Sequence, residues 1–154
     1  GCTISPYQMM ELAAEELREK SIVLTPAATS EVNVLVAAVR EVLHLTQDAF
    51  IKNDIQAAYH VEPLEQVIDD LKEQMRARHI LRLQQGYCTI EAGFVLSDLL
   101  TNLERVSDHC SNIAGCVLDM AHNDMNLHAS LRATRTGDAE YAREYEGYTL
   151  KYHI

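Results

Sequence analysis

At 154 residues the chain is one domain by length, large enough to bury a core without disulfide or metal staples. Thirteen basic against twenty-three acidic residues give a net charge of −10, a surface that repels a phosphate backbone, so no nucleic-acid partner is expected and cations are the natural ligands. Hydrophobic residues make up 47% but are interspersed with charges; nothing approaches the ~18 uninterrupted apolar residues of a membrane-spanning helix, and the segment is expected to be soluble as it stands.

The start, GCTISPYQ, has neither the basic region nor the apolar run of a signal peptide, and Gly1 in place of Met is compatible with a piece of a longer chain. Ser5, Pro6 and Gln8 spell a helix start, predicting a short N-terminal helix over about 6–20. VLTPAATS (23–30) then reads as a break, punctuated by Pro26 and a Ser/Thr cluster. The first long helix is predicted over 31–52, where Val32, Leu35, Val39, Val42, Thr46 and Ala49 form a packing seam. Asn53 and Asp54 end it and cap the next.

The second long helix is predicted over 55–84, with Val61, Leu64, Ile68, Leu71 and Met75 on one face, Pro63 kinking or restarting it, and Gly86 closing it. The third spans about 89–122, roughly 50 Å at 1.5 Å per residue. Its seam is Leu96, Leu99, Leu103, Val106, Cys110, Ile113, Val117 and Met120, almost a seven-residue repeat. Three such rods with short turns predict an all-α, up-down three-helix bundle, its core over about 30–123. A polar break (122–138) precedes a last helix near 138–152, where Tyr141, Tyr145, Tyr148 and Tyr152 share a face expected to pack back onto the bundle. The cysteines (Cys2, Cys88, Cys110, Cys116) contain no CxxC pair and read as free thiols in a reducing cytoplasm, ahead of a disulfide or zinc site.

Two carboxylate pairs could carry chemistry: Glu65 with Asp69, and Glu104 with Asp108. Residues four apart on a helix share a face, so each pair presents two carboxylates to one point, a donor set suited to hard cations such as Mg, Ca, Mn or ferric iron. At about 100° per residue, Glu104 and Asp108 lie about 170° from their seam, and Glu65 and Asp69 about 100° from theirs. The pairs can therefore meet only on an outer surface. An ordinary solvated face accounts for the same spacing, since like charges at i,i+4 cost only ~0.2–0.5 kcal/mol. Glu41-x-x-His44 and Asp119-x-x-His122 superficially match the inward pairs of di-iron bundles, but both point away from their seams. GxSxG, a phosphate-cradling glycine loop and HExxH are all absent. His79, among arginines near a helix end, reads as a capping or salt-bridging residue.

The segments LEQVIDDLKEQM (64–75) and NLERVSDHCSNIAG (102–115) resemble the two signatures of the PhoU family. RHILRLQQGYC (78–88), EAGFVLSDLLTNLERVSDH (91–109) and YAREYEGYTLKY (141–152) are similar to the variant at the C-terminus of bacterial sodium/phosphate cotransporters. The resemblance covers roughly 30–152 and implies a single PhoU-like domain over 1–154 with added N- and C-terminal helices. It implies a non-enzymatic, cytoplasmic regulator of phosphate uptake, partnered by the membrane domain of a parent transporter or by a second copy of itself. It assigns a divalent or trivalent metal ion to Glu65, Asp69, Glu104 and Asp108, with Asp98 and Asn112 as weaker candidates. Family members that work alone usually carry two three-helix repeats; this chain has one. The competing expectations are a metal-free structural adaptor and a ferritin-like carboxylate-metal enzyme.

Overall fold

The computed structural model describes residues 22–124 and 127–154, together with Gln8, Glu11, Glu15, Arg18 and Glu19; for 123, 124 and 127–138 it describes the backbone alone. Apart from those five positions, the helix expected over 6–20 lies outside the described residues, as does Cys2. Four helices follow in order: α1 (Pro26–Ile51), α2 (Ile55–Gln84), α3 (Ile90–Asp124) and α4 (Leu127–Lys151).

The helix ends follow from cap chemistry. Thr25 accepts the Ala28 N–H at 3.2 Å and Pro26 takes the first helical position, so α1 begins inside the stretch read as a break. Pro there pre-sets the helical φ and lacks only an N–H that would have had no partner. Asp54 caps α2 by accepting the Ala57 N–H at 3.1 Å, and Asn53 takes a left-handed φ of 51° in the turn before it. Gly86, at φ 77°, closes α2: its N–H donates to Leu83 and the Tyr87 N–H to the Arg82 carbonyl at 2.9 Å. Thr89 caps α3 through the Ala92 N–H. Pro63 neither restarts nor ends α2, which runs on through it with the ring buried among neighbours. The last helix also starts earlier than expected. Polarity alone does not end a helix, and Leu127–Arg135 holds no Pro or Gly to stop one.

Residues in contact fix the directions. His79 meets Gly93, Lys72 meets Glu104, Glu62 meets Ser111 and Tyr59 meets His122, so α2 and α3 run antiparallel. α1 packs on both, and α4 packs on α2. The architecture is an all-α bundle of four helices, the last packed on α2 beside the three long rods. Its core joins Leu35, Val39 and Val42 of α1, the whole expected α2 seam, and Leu96, Leu100, Leu103 and Val106 of α3. Each such side chain contributes about 1.5–3 kcal/mol by leaving water. Thr46, the polar member of the α1 seam, satisfies its hydroxyl on the Val42 carbonyl.

The α3 seam departs from its seven-residue reading. Ile113 and Met120 are 41% and 55% exposed, while Leu100, Ser107 and Ala114 are buried. A straight helix drifts about 20° per heptad, so a strict repeat leaves the core after two or three heptads. The tyrosine face packs largely as expected: Tyr152 is buried, Tyr145 and Tyr148 lie against the core, and Tyr141 stays exposed at the outer end. Tyr152 donates to Glu41, Tyr145 donates to Asp70, and Lys151 reaches Glu41 at 2.8 Å. Burial first, then the Glu41 and Glu144 charges, push the Tyr148 hydroxyl up to about 12. No described helix is long and apolar enough to cross a membrane.

Candidate functional site

The antiparallel pairing of α2 and α3 lines up carboxylates from both helices along one outer groove. Glu62, Glu65, Asp69 and Glu73 come from α2, and Glu104 and Asp108 from α3. The two carboxylate pairs lie on neighbouring helices, and Glu104 departs from the orientation expected of it. Glu104 does not face wholly away from the core. Leu100 and Ser107 widen the buried face of α3 because it packs on both α1 and α2, and this draws Glu104 into the groove.

One half of the groove is charge-compensated. Lys72, buried to 7% side-chain exposure, donates to Asp69 Oδ1 at 2.9 Å and to Glu104 Oε1 across the helix interface. Arg76 adds a second cation, 3.2 Å from Glu73 and 3.9 Å from Glu104. Burial opposes the Lys72 charge, but hydrogen bonds to Glu104 and Asp69 and their negative charges outweigh it, and the ammonium pKa is raised.

The other half is compensated only weakly, by the more distant Lys72 charge. Burial, then the charges of Asp69, Glu62 and Asp108, raise Glu65 to about 7, and it makes no hydrogen bond with a described residue. Glu62 accepts from Ser111 Oγ at 2.7 Å, tying the same two helices. Tyr141 of α4 lies beside this end, its hydroxyl raised by burial and then by Glu62, Glu65 and Asp70. Here a proton, rather than a fixed cation, relieves the repulsion near neutral pH.

The four expected ligands therefore divide into two couples that cross the helices. Asp69 and Glu104 share Lys72, and Glu65 and Asp108 share the uncompensated end. Among the described residues, no group of three or more His, Cys, Asp or Glu side chains is arranged to hold a metal ion. Asp98 and Asn112 are exposed, with no side-chain partner among the described residues. The di-iron-like residues are scattered: Glu41 binds Tyr152 and Lys151, His44 and Asp119 are exposed, and His122 lies 3.3 Å from the Tyr59 hydroxyl.

His79 neither caps nor bridges. Its ring packs on Gly93, where an added Cβ would fall 2.6 Å from Nε2, and its Nδ1 lies 3.8 Å from Cys88 Sγ. Burial, then the Arg82 charge, lower its pKa and keep it neutral. Cys88, Cys110 and Cys116 are free thiols, and burial raises Cys110.

Sequence reasoning missed two features. Lys72 follows Asp69 by three residues, a signal visible in LEQVIDDLKEQM, but its partner on α3 is a matter of register. The second is Glu31, 5% exposed and held by Arg82 through two hydrogen bonds of 3.0 Å and by Arg78 at 3.3 Å. Arg78 also donates to the Ile154 carbonyl at 2.8 Å, so one carboxylate gathers the start of α1, the end of α2 and the residues after α4.

The family model described as "PhoU domain" matches residues 32–117, more than half the chain and the whole acidic groove. The chain is similar to the phosphate-specific transport system accessory protein PhoU homolog 1 of Thermotoga maritima, 28% identical over 98 residues. That stretch is 62% of this chain and 42% of the relative, so the chain spans less than half the length of the curated protein it matches. No solved structure matches it.

Proposed function

From the premise that the chain belongs to the PhoU family, we propose that it regulates phosphate transport, acting as the regulatory part of a sodium-dependent phosphate transporter on the cytoplasmic face of its membrane domain. The observation that carries the reading is the family match over 32–117, which contains both acidic signatures and the α2–α3 groove they line. The similar Thermotoga maritima protein is named as an accessory of a phosphate-specific transport system, which supports the same direction. The resemblance of 78–88, 91–109 and 141–152 to the cotransporter variant supports the sodium-dependent context.

The role is regulatory rather than enzymatic, and it needs two arrangements that differ in how they meet the transporter. The groove suits such a role because its halves differ: Lys72 fixes one, and the charge of the other changes with the state of Glu65. Phosphate uptake by cells whose transporter carries or lacks this segment tests the reading. Deleting the segment is expected to change uptake as external phosphate is varied; identical uptake curves would defeat it.

The metal expectation narrows to the uncompensated end. An ion there would be held by Glu65 and Asp108, with Glu62 alongside, because burial and then the charges of Asp69, Glu62 and Asp108 disfavour an uncompensated Glu65 carboxylate. Two or three carboxylates are fewer than a hard cation prefers, so water or a second copy of the chain would complete the shell. Metal content of purified protein is expected to fall in the Glu65→Ala/Asp108→Ala double variant. Equal content in both would remove the metal from the proposal without touching the regulatory reading.

A further inference from the structure

We propose that Lys72 is the resident cation of the α2–α3 groove, standing between Asp69 and Glu104 in the place that the family resemblance gives to a metal ion, so that this junction closes without metal. The inference does not rest on the regulatory role. It comes from a disagreement between the donor set and the ligand that the signatures imply.

Three observations carry it. Lys72 is 7% exposed, a depth at which lysine is rarely found unless paired, and its two partners come from different helices. Asp69 and Glu104 are thus bridged by a charge covalently attached to α2, which no chelator can remove. A metal ion entering between them would have to displace the ammonium and leave it buried without a counter-ion, an arrangement that strongly disfavours the ion.

The second observation is the neighbouring cation. The Arg76 guanidinium lies 3.9 Å from the other Glu104 oxygen, so a divalent ion on Glu104 would meet a second positive charge at close range. The third is coordination number. Hard divalent ions take six or more oxygens at about 2.0–2.6 Å, whereas this junction offers Asp69 and Glu104, with Glu73 turned to Arg76. Removing the Lys72 charge is the step that would free both carboxylates at once.

Calorimetric titration of Mn(II) into the full chain, with circular dichroism to verify folding, tests this on wild type, Glu104→Gln, Lys72→Met and the Lys72→Met/Glu104→Gln double variant. Wild type and Glu104→Gln are expected to bind Mn(II) equally, because Glu104 is not a ligand while Lys72 is present. Lys72→Met is expected to gain about tenfold or more in Mn(II) affinity, and the added Glu104→Gln change to abolish that gain. The proposal is overturned if wild type binds Mn(II) more tightly than Glu104→Gln, or if folded Lys72→Met gains nothing. Should Lys72→Met fail to fold, the wild type and Glu104→Gln pair still decides, supported by equality and overturned by a difference.

Discussion

Two charged clusters hold this bundle together, and they solve opposite problems. At one end Glu31, almost wholly buried, is met by two arginines, and the cluster carries more positive than negative charge. Along the α2–α3 groove six carboxylates share one lysine and one arginine, and the balance is reversed. Burial decides how each copes. Glu31 and Arg82 are shielded from water, so their charges must be matched by geometry, and the planar guanidinium of Arg82 matches both carboxylate oxygens. The groove opens to solvent, so part of its charge is left to water and part to a proton on Glu65. A rigid clasp and a titratable strip follow from the same ingredients at different depths.

The largest expected effect comes from breaking the rigid side. Glu31→Gln leaves Arg82 buried without a negative partner and is expected to destabilise the fold by about 3 kcal/mol. Urea denaturation reads this as a lower midpoint with an unchanged slope. A loss well under about 1 kcal/mol would mean that solvent reaches Arg82 and that the contrast in burial is wrong.

Glu65 sharpens the other side through pH. Its folded pKa, about 7, lies above the ordinary carboxylate value of 4.5, so the folded state holds the proton more tightly. Its contribution is therefore favourable at low pH and is lost as pH rises from about 4.5 to 7. Glu65→Gln removes that loss. The variant is expected to match wild type below pH ~4.5 and to exceed it by about 1–2 kcal/mol above pH ~7, after allowing for screening at a half-exposed group. Parallel pH–stability curves for the two proteins would show that Glu65 does not titrate in this window.

The smallest effect belongs to the exposed rim of the groove. Arg76→Ala removes a cation 3.2 Å from Glu73, and surface pairs of this kind contribute about 0.2–1 kcal/mol. The loss is expected to shrink further in high salt, whereas the Glu31→Gln loss persists. Equal salt sensitivity at both positions would erase the distinction between clasp and strip.

Much of the fold was legible before any coordinates. The α2 seam of Val61, Leu64, Ile68, Leu71 and Met75 is buried throughout, and Asp54 and Gly86 bound that helix as their chemistry requires. Local rules suffice there because caps and periodicity act within one or two turns. They misled where a local signal had two meanings. Pro26 can break a helix or begin one, and the Thr25 cap made it a beginning. The polar stretch after His122 resembled a loop, yet its backbone from Leu127 on is helical.

The candidate site was legible in composition and not in partnership. Glu65, Asp69, Glu104 and Asp108 do lie along one groove, as two i,i+4 pairs on neighbouring helices suggested. Which carboxylate faces which depends on the axial register of α2 against α3, and a shift of one turn, about 5.4 Å, would reassign every couple. Sequence spacing carries no term for that offset.

The chain's order of residues by itself determined that three long rods with apolar seams would form and that acidic side chains would collect on their outer flanks, because helical periodicity and charge are properties of neighbours in sequence. Only packing decided that Lys72 would be the charge placed between Asp69 and Glu104, and that Glu31 would be sealed beneath two arginines. Those outcomes depend on how side chains from separate helices exclude water from one another, and that exclusion exists only once the helices have met.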